Sequence, residues 1–248
     1  DWVNMGDTGR LRAWLLAMAV AILGVAVLVG TGSAAIGTET FPPYRTPYFA
    51  WLRYLLGGLM FGVGMTLASG CGNKALVRIG GGNIKSLVVL IVASVCAYLM
   101  LWTEFYGQVF NSWIVATTVD LGKSGFQSQA VSEFFGAGTT PQVATGAVLG
   151  LILAGFVFAS KDFRGNFDNV LGGLVIGLAV VIGWYLTAGP MGAAWKEWAE
   201  LAETVPSRVE VQSFTFISPM GDSVRYLMSP ANFAYINFGV TAPAGVIV

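Results

Sequence analysis

GLMFGVGMTLASGCGNK, residues 58–74, is an apolar helix that runs into a glycine-flanked cysteine. Gly58, Gly62, Thr66 and Gly70 recur every four residues, so they form one smooth stripe that points at Cys71. In lipid, a non-helical turn survives only where protein or a water-filled cavity satisfies its backbone. The stretch therefore sets a soft, polarisable sulfur beside a solute pathway through a membrane. The bland alternative is a small apolar filler, since free cysteine is often buried and inert. Its neighbours favour function. Gly70 and Gly72 free the backbone to approach a ligand. Ser69 and Asn73 offer hydrogen bonds, and Lys74 and Arg78 add positive potential. A sulfur oxyanion would find N–H donors, a cationic rim and an S–H partner there. Broken helices whose positive ends face an anion are a transporter device.

Composition agrees with a membrane setting. The chain has 248 residues, 55% hydrophobic and 10% charged, against about 25% charged in soluble domains. Lys+Arg and Asp+Glu balance at 13 each, so bulk charge gives no sign of a nucleic-acid partner. Histidine is absent, which removes the commonest metal ligand and the usual neutral-pH proton carrier. Cys71 and Cys96 lie far apart and form no CxxC, so a metal site or vicinal dithiol is not expected. The reading is of a non-enzyme with no cofactor. Cys96, mid-span, reads as a packing residue.

Five apolar segments are expected to cross a bilayer: Leu11–Val29, Tyr48–Ser69, Ser86–Trp102, Val143–Ala159 and Val170–Leu186. Ala231–Val248 begins a sixth. A Pro-rich approach (Pro42, Pro43, Pro47) precedes the second, and a short basic Gly-rich segment, Lys74 to Lys85, follows it. Arg10, Arg12, Lys74, Arg78, Lys85, Lys161 and Arg164 hold more than half of the 13 cations, which makes their side cytoplasmic. The long loops Thr103–Gln142 and Thr187–Pro230 fall outside, with Glu104, Asp120, Glu133, Glu197, Glu200, Glu203, Glu210 and Asp222. Trp195–Glu203 is expected to form a short amphipathic helix there. Gly58–Gly62, Gly146–Gly150 and Gly173–Gly177 are GxxxG pairs that let helices approach closely. The expected fold is an all-α polytopic membrane protein with about six transmembrane helices. The start at Asp1 and the stop at Val248 read as cuts, so residues 1–248 are taken as one transmembrane domain truncated at both ends.

Gly57–Gly72 resembles the first cysteine motif of the YeeE/YedE sulfur-transport family, and Ser229–Val248 resembles the start of that family's second half. The resemblance implies a bacterial inner-membrane protein that imports thiosulfate or a related sulfur anion. It also implies two pseudo-symmetric halves in an hourglass, with re-entrant helices at the waist. Cysteines in that waist would pass thiosulfate on by S–H contacts, and Cys71 is the position here that matches. On this reading Ser69, Gly70, Cys71, Gly72, Asn73 and Lys74 bind the substrate. Small sulfur-carrier or rhodanese-like proteins are the cytoplasmic partners implied. The rivals are a membrane redox protein working through thiols and a non-transporting scaffold. One tension stands: a continuous helix over Tyr48–Ser69 would be about 33 Å long and would carry Cys71 to the cytoplasmic face, whereas the family picture puts it mid-membrane. The two agree if the helix starts outside the bilayer, tilts, or turns back after Cys71 as a re-entrant hairpin, with Gly80-Gly81-Gly82 then the next break.

Overall fold

The computed structural model describes residues 8–37, 40, 43, 45–202 and 209–247. Asp1, Pro42, Glu203 and Val248 lie outside the described residues. Along the chain run α1 (Gly9–Gly30), β1 (Tyr48–Phe49), α2 (Trp51–Leu67), α3 (Gly72–Gly80), α4 (Ile84–Trp102), α5 (Ser112–Ala116), β2 (Val119–Asp120), α6 (Thr139–Phe158), α7 (Lys161–Gly165), α8 (Phe167–Ala188), α9 (Pro190–Leu201), α10 (Ile217–Met228) and α11 (Phe238–Ile247). Among the described residues five stretches are long and apolar enough to cross a membrane: Gly9–Gly30, Trp51–Gly80, Ile84–Trp102, Thr139–Phe158 and Phe167–Ala188. The chain is a helical multi-pass membrane protein. The expected sixth segment holds a 3₁₀ turn, Phe233–Tyr235, and the ten-residue α11.

The chain forms two compact units. In the unit of Asp1–Pro47, Leu121–Lys196 and Glu210–Ser213, α1 packs against both α6 and α8. Glycines make both contacts close. A Cβ on Gly150 of α6 would lie 2.5 Å from Leu23 Cγ, and one on Gly177 of α8 would lie 2.6 Å from Val20 Cβ. Two of the three GxxxG pairs are therefore helix-packing surfaces. Arg12 donates through Nη1 to the carbonyls of Phe156 (2.6 Å) and Val157 (3.1 Å). It thus satisfies the last turn of α6, where helix geometry leaves carbonyls without partners. This contact brings the start of α1 next to the end of α6. Arg45, outside the spans, donates to the carbonyls of Ile36 and Gly37 at 3.0 Å each. Burial lowers its pKa, and Glu133 opposes that shift.

The other unit comprises Tyr48–Asp120, Glu197–Val209 and Phe214–Val248. Within it α10 packs on α4, and α3 packs on α4 and α11. The antiparallel pairs Tyr48–Asp120 and Phe49–Val119 anchor the approach to α2. No residue of α2 is buried. Around Gly58 and Gly62 no described atom comes within 4 Å of a would-be Cβ, so this GxxxG pair, unlike the other two, packs no helix among the described residues.

Some expectations change here. The basic segment from Lys74 begins in a helix, α3, because Ala75, Leu76, Val77 and Ile79 give it an apolar face. The stretch Thr187–Pro230, expected as an outer loop, contains α9 and α10. Asp222, expected in that loop, lies in α10, is 2% exposed and accepts hydrogen bonds from Trp102 and Asn237. Cys96 is exposed on α4 rather than packed among the described residues.

Candidate functional site

The second span ends in a fully formed C-terminal cap. The Gly70 amide donates to Met65 O at 2.9 Å and the Ser69 amide to Thr66 O at 3.3 Å, the paired bonds of a Schellman motif. Ser69 takes the left-handed position that glycine usually fills, at φ 59°. Gly70 follows at φ 146°, a region L side chains rarely adopt. A Cβ on Gly70 would also lie 2.5 Å from Lys74 Cδ, because the Lys74 stem folds back over the turn. Gly70 is therefore required by its torsion, while the flexible Lys74 stem above it adds a contact that can give way.

Cys71 is extended, at φ −78° and ψ 171°, and is the N-cap of α3. Its side chain makes no capping bond, so the sulfur is not committed to the helix. The first intrahelical bond runs from the Ala75 amide to the Cys71 carbonyl at 3.1 Å. Helix geometry leaves the amides of Gly72, Asn73 and Lys74 without intrahelical acceptors. The half-exposed Cys71 thiol thus sits at the positive end of a nine-residue helix. Cys71 and Cys96 are both free thiols.

The six expected residues fall at one break, because they are contiguous. Their roles differ. Ser69 contributes its backbone: its carbonyl accepts from Arg78 Nη1 at 3.2 Å. Gly70 makes the turn possible. Asn73 and Lys74 are exposed on the first turn of α3. Arg78 reaches back along α3 and brings its charge to the break.

Residues far along the chain complete the surroundings. A Cβ on Gly72 would lie 2.9 Å from Ile217 Cδ1 and 3.5 Å from Met220 Cε, so the first turn of α10 covers one side of the break. Pro219 of that turn packs on Gly239 of α11, where a Cβ would lie 2.8 Å from Pro219 Cγ. Asn237 precedes α11 and its Oδ1 accepts from the Val240 amide at 3.0 Å. Asn232 caps the preceding 3₁₀ turn, accepting from the Ala234 amide at 3.1 Å. Both asparagines are capping residues. Ile217, Met220, Asp222 and Asn237 carry no local signal for their place at this site, except that an asparagine before an apolar run marks a helix start.

Residues 1–248 fit the family described as Sulphur transport along their whole length. The chain belongs to the YeeE/YedE sulphur-transport family. The chain is also 33% identical over 100 residues to the thiosulfate transporter TsuA of Escherichia coli (strain K12). That similarity spans 40% of this chain and 26% of TsuA, so the chain covers about a quarter of that relative's length.

Proposed function

We propose that the protein imports thiosulfate or a related sulfur-containing anion across the bacterial inner membrane, and that Cys71 hands the ion through a narrow waist. The observation that carries this reading is an uncommitted thiol at the N-cap of a short helix, inside a broken apolar span. Family membership and the likeness to a thiosulfate transporter support the substrate class.

The chemistry follows from the donors at hand. The helix start presents roughly half a positive charge and three amides without intrahelical acceptors. These suit the oxygens of a sulfur oxyanion. The thiol is a weak donor, suited to the polarisable terminal sulfur, and no covalent bond is needed. Conduction requires that each contact stay weak enough for the ion to leave. Arg78 and Lys74 raise the local anion concentration.

The span geometry supports a mid-membrane position. The helix from Trp51 to Leu67 has 17 residues, about 25 Å at 1.5 Å per residue, short of a hydrocarbon core of about 30 Å. With Trp51 at the outer interface, the Ser69–Cys71 break lies within that core, and α3 with the Gly81–Gly82 turn carries the chain on to the cytoplasmic face, where its cations belong. The whole protein is then an hourglass of two related halves. A small sulfur-carrier or rhodanese-like protein receives the anion on the cytoplasmic side, at the basic segment Lys74–Lys85.

The experiment is uptake of radiolabelled thiosulfate by sulfur-starved cells expressing the full-length protein. Accumulation above that of empty-vector cells, competed by unlabelled thiosulfate more than by sulfate, supports the reading. Equal counts in the two strains refute it.

A further inference from the structure

Asp222 is a carboxylate 2% exposed within a chain of membrane spans. A buried carboxylate is costly unless its oxygens are hydrogen-bonded. Both its oxygens are engaged by other elements. Nε1 of Trp102, the last residue of α4, donates to Oδ1 at 2.9 Å. Nδ2 of Asn237, at the start of α11, donates to Oδ2 at 3.2 Å. Asn237, itself 3% exposed, has its amide orientation fixed from both ends. The Val240 amide can only be met by Oδ1, so Nδ2 must face position 222, which must accept. Trp102 is held twice as well: its N–H is on Asp222 and its ring lies 3.9 Å from the guanidinium carbon of Arg225. The Arg225 guanidinium carbon also lies 4.1 Å from the centre of the Tyr235 ring.

The residues just before Asp222 carry this registration to the cysteine turn. A Cβ on Gly221 would lie 3.1 Å from the Ala97 and Tyr98 backbone, so α10 rests backbone to backbone on α4. Pro219 packs on Gly239 and Met220 on Gly72. One turn of α10 thus touches the starts of α3 and α11 and the body of α4. Packed elements transmit such shifts rather than absorb them.

The geometry points to Asp222 as a positioning residue: through the hydrogen-bonded chain Trp102–Asp222–Asn237 it sets the first turn of α10 and the start of α11, and so the cover that Ile217 and Met220 place over Gly72 beside Cys71. Its part in transport rests on the function proposed above; its part in shaping the Cys71 turn does not.

The test is a reciprocal swap in the full-length protein. Asp222→Asn turns an amide N–H₂ towards that of Asn237. Asn237→Asp sets two carboxylates face to face. The double variant restores all three bonds. The amide introduced at position 222 donates to the carboxylate introduced at position 237. That carboxylate still accepts from the Val240 amide, and the amide oxygen at position 222 still accepts from Trp102. Each single variant is expected to lower thiosulfate uptake by about tenfold per correctly inserted molecule, and to raise the alkylation rate of Cys71 followed by peptide mass spectrometry. The double variant is expected to recover both. Wild-type behaviour in the single variants overturns the proposal, and so does a double variant no better than Asp222→Asn, whether it fails in insertion, uptake or alkylation. If wild-type cells take up no thiosulfate, the transport reading fails by itself and the swap is scored on Cys71 alkylation.

Discussion

Arg78 Nη1 donates to the carbonyl oxygen of Ser69 at 3.2 Å, so the last turn of α3 reaches back across the break from which that helix starts. The contact satisfies a carbonyl freed where α2 ends and holds a cation beside Cys71. Arg78→Gln removes the charge and keeps a shorter donor. Because the contact is exposed, its effect is modest: KM for the anion should rise about twofold to fivefold with little change in maximal rate. Uptake kinetics at low and high salt check this, and the difference from wild type should shrink at high salt.

Ser69 separates a backbone role from a ligand role. Its left-handed torsion costs a non-glycine residue roughly 1–2 kcal/mol, so Ser69→Gly should stabilise the protein by about 1 kcal/mol. A thermal melt of the detergent-solubilised protein should move up by a few degrees, with uptake unchanged. Lost uptake with a raised melting temperature would instead make the Ser69 hydroxyl a ligand.

Gly70→Ala meets a forbidden torsion and the Lys74 stem together. A destabilisation of about 1–3 kcal/mol is expected, read as a lower melting temperature. Gly70→Ala/Lys74→Ala should recover only the steric part, because the torsion remains.

The GxxxG pairs should respond in opposite directions. Gly177→Ala pushes a methyl into Val20 and the Ala17 carbonyl and should cost about 1–3 kcal/mol. Gly58→Ala meets no described atom within 4 Å and should be neutral or gain up to about 1 kcal/mol from helix propensity. Paired melts of the two variants decide.

The long spans are legible in the sequence because hydropathy is a property of a contiguous window. The window Leu11–Val29 becomes the helix Gly9–Gly30, and Val170–Leu186 becomes Phe167–Ala188. The break at Gly70-Cys71-Gly72 is legible for the same reason, since its residues are neighbours in sequence. The helix α10 is not. Ser218, Asp222, Ser223 and Arg225 dilute its hydropathy, and the partners that make Asp222 tolerable there, Trp102 and Asn237, are remote along the chain. The place of Ile217 and Met220 at the Cys71 turn is hidden for that reason too. Cys96 misleads in the opposite direction: an apolar mid-span position reads as packing, but within a membrane span such a position can face outward at no cost.

Cys71 itself offers the sharpest test. Radiolabelled thiosulfate uptake should be measured in cells expressing full-length wild type, Cys71→Ala and Cys71→Ser at equal membrane levels. A thiol in contact with the passing sulfur requires both variants to fall to the empty-vector level, the serine included, since its hydroxyl lacks a polarisable sulfur. Wild-type uptake in Cys71→Ala membranes would contradict the relay outright.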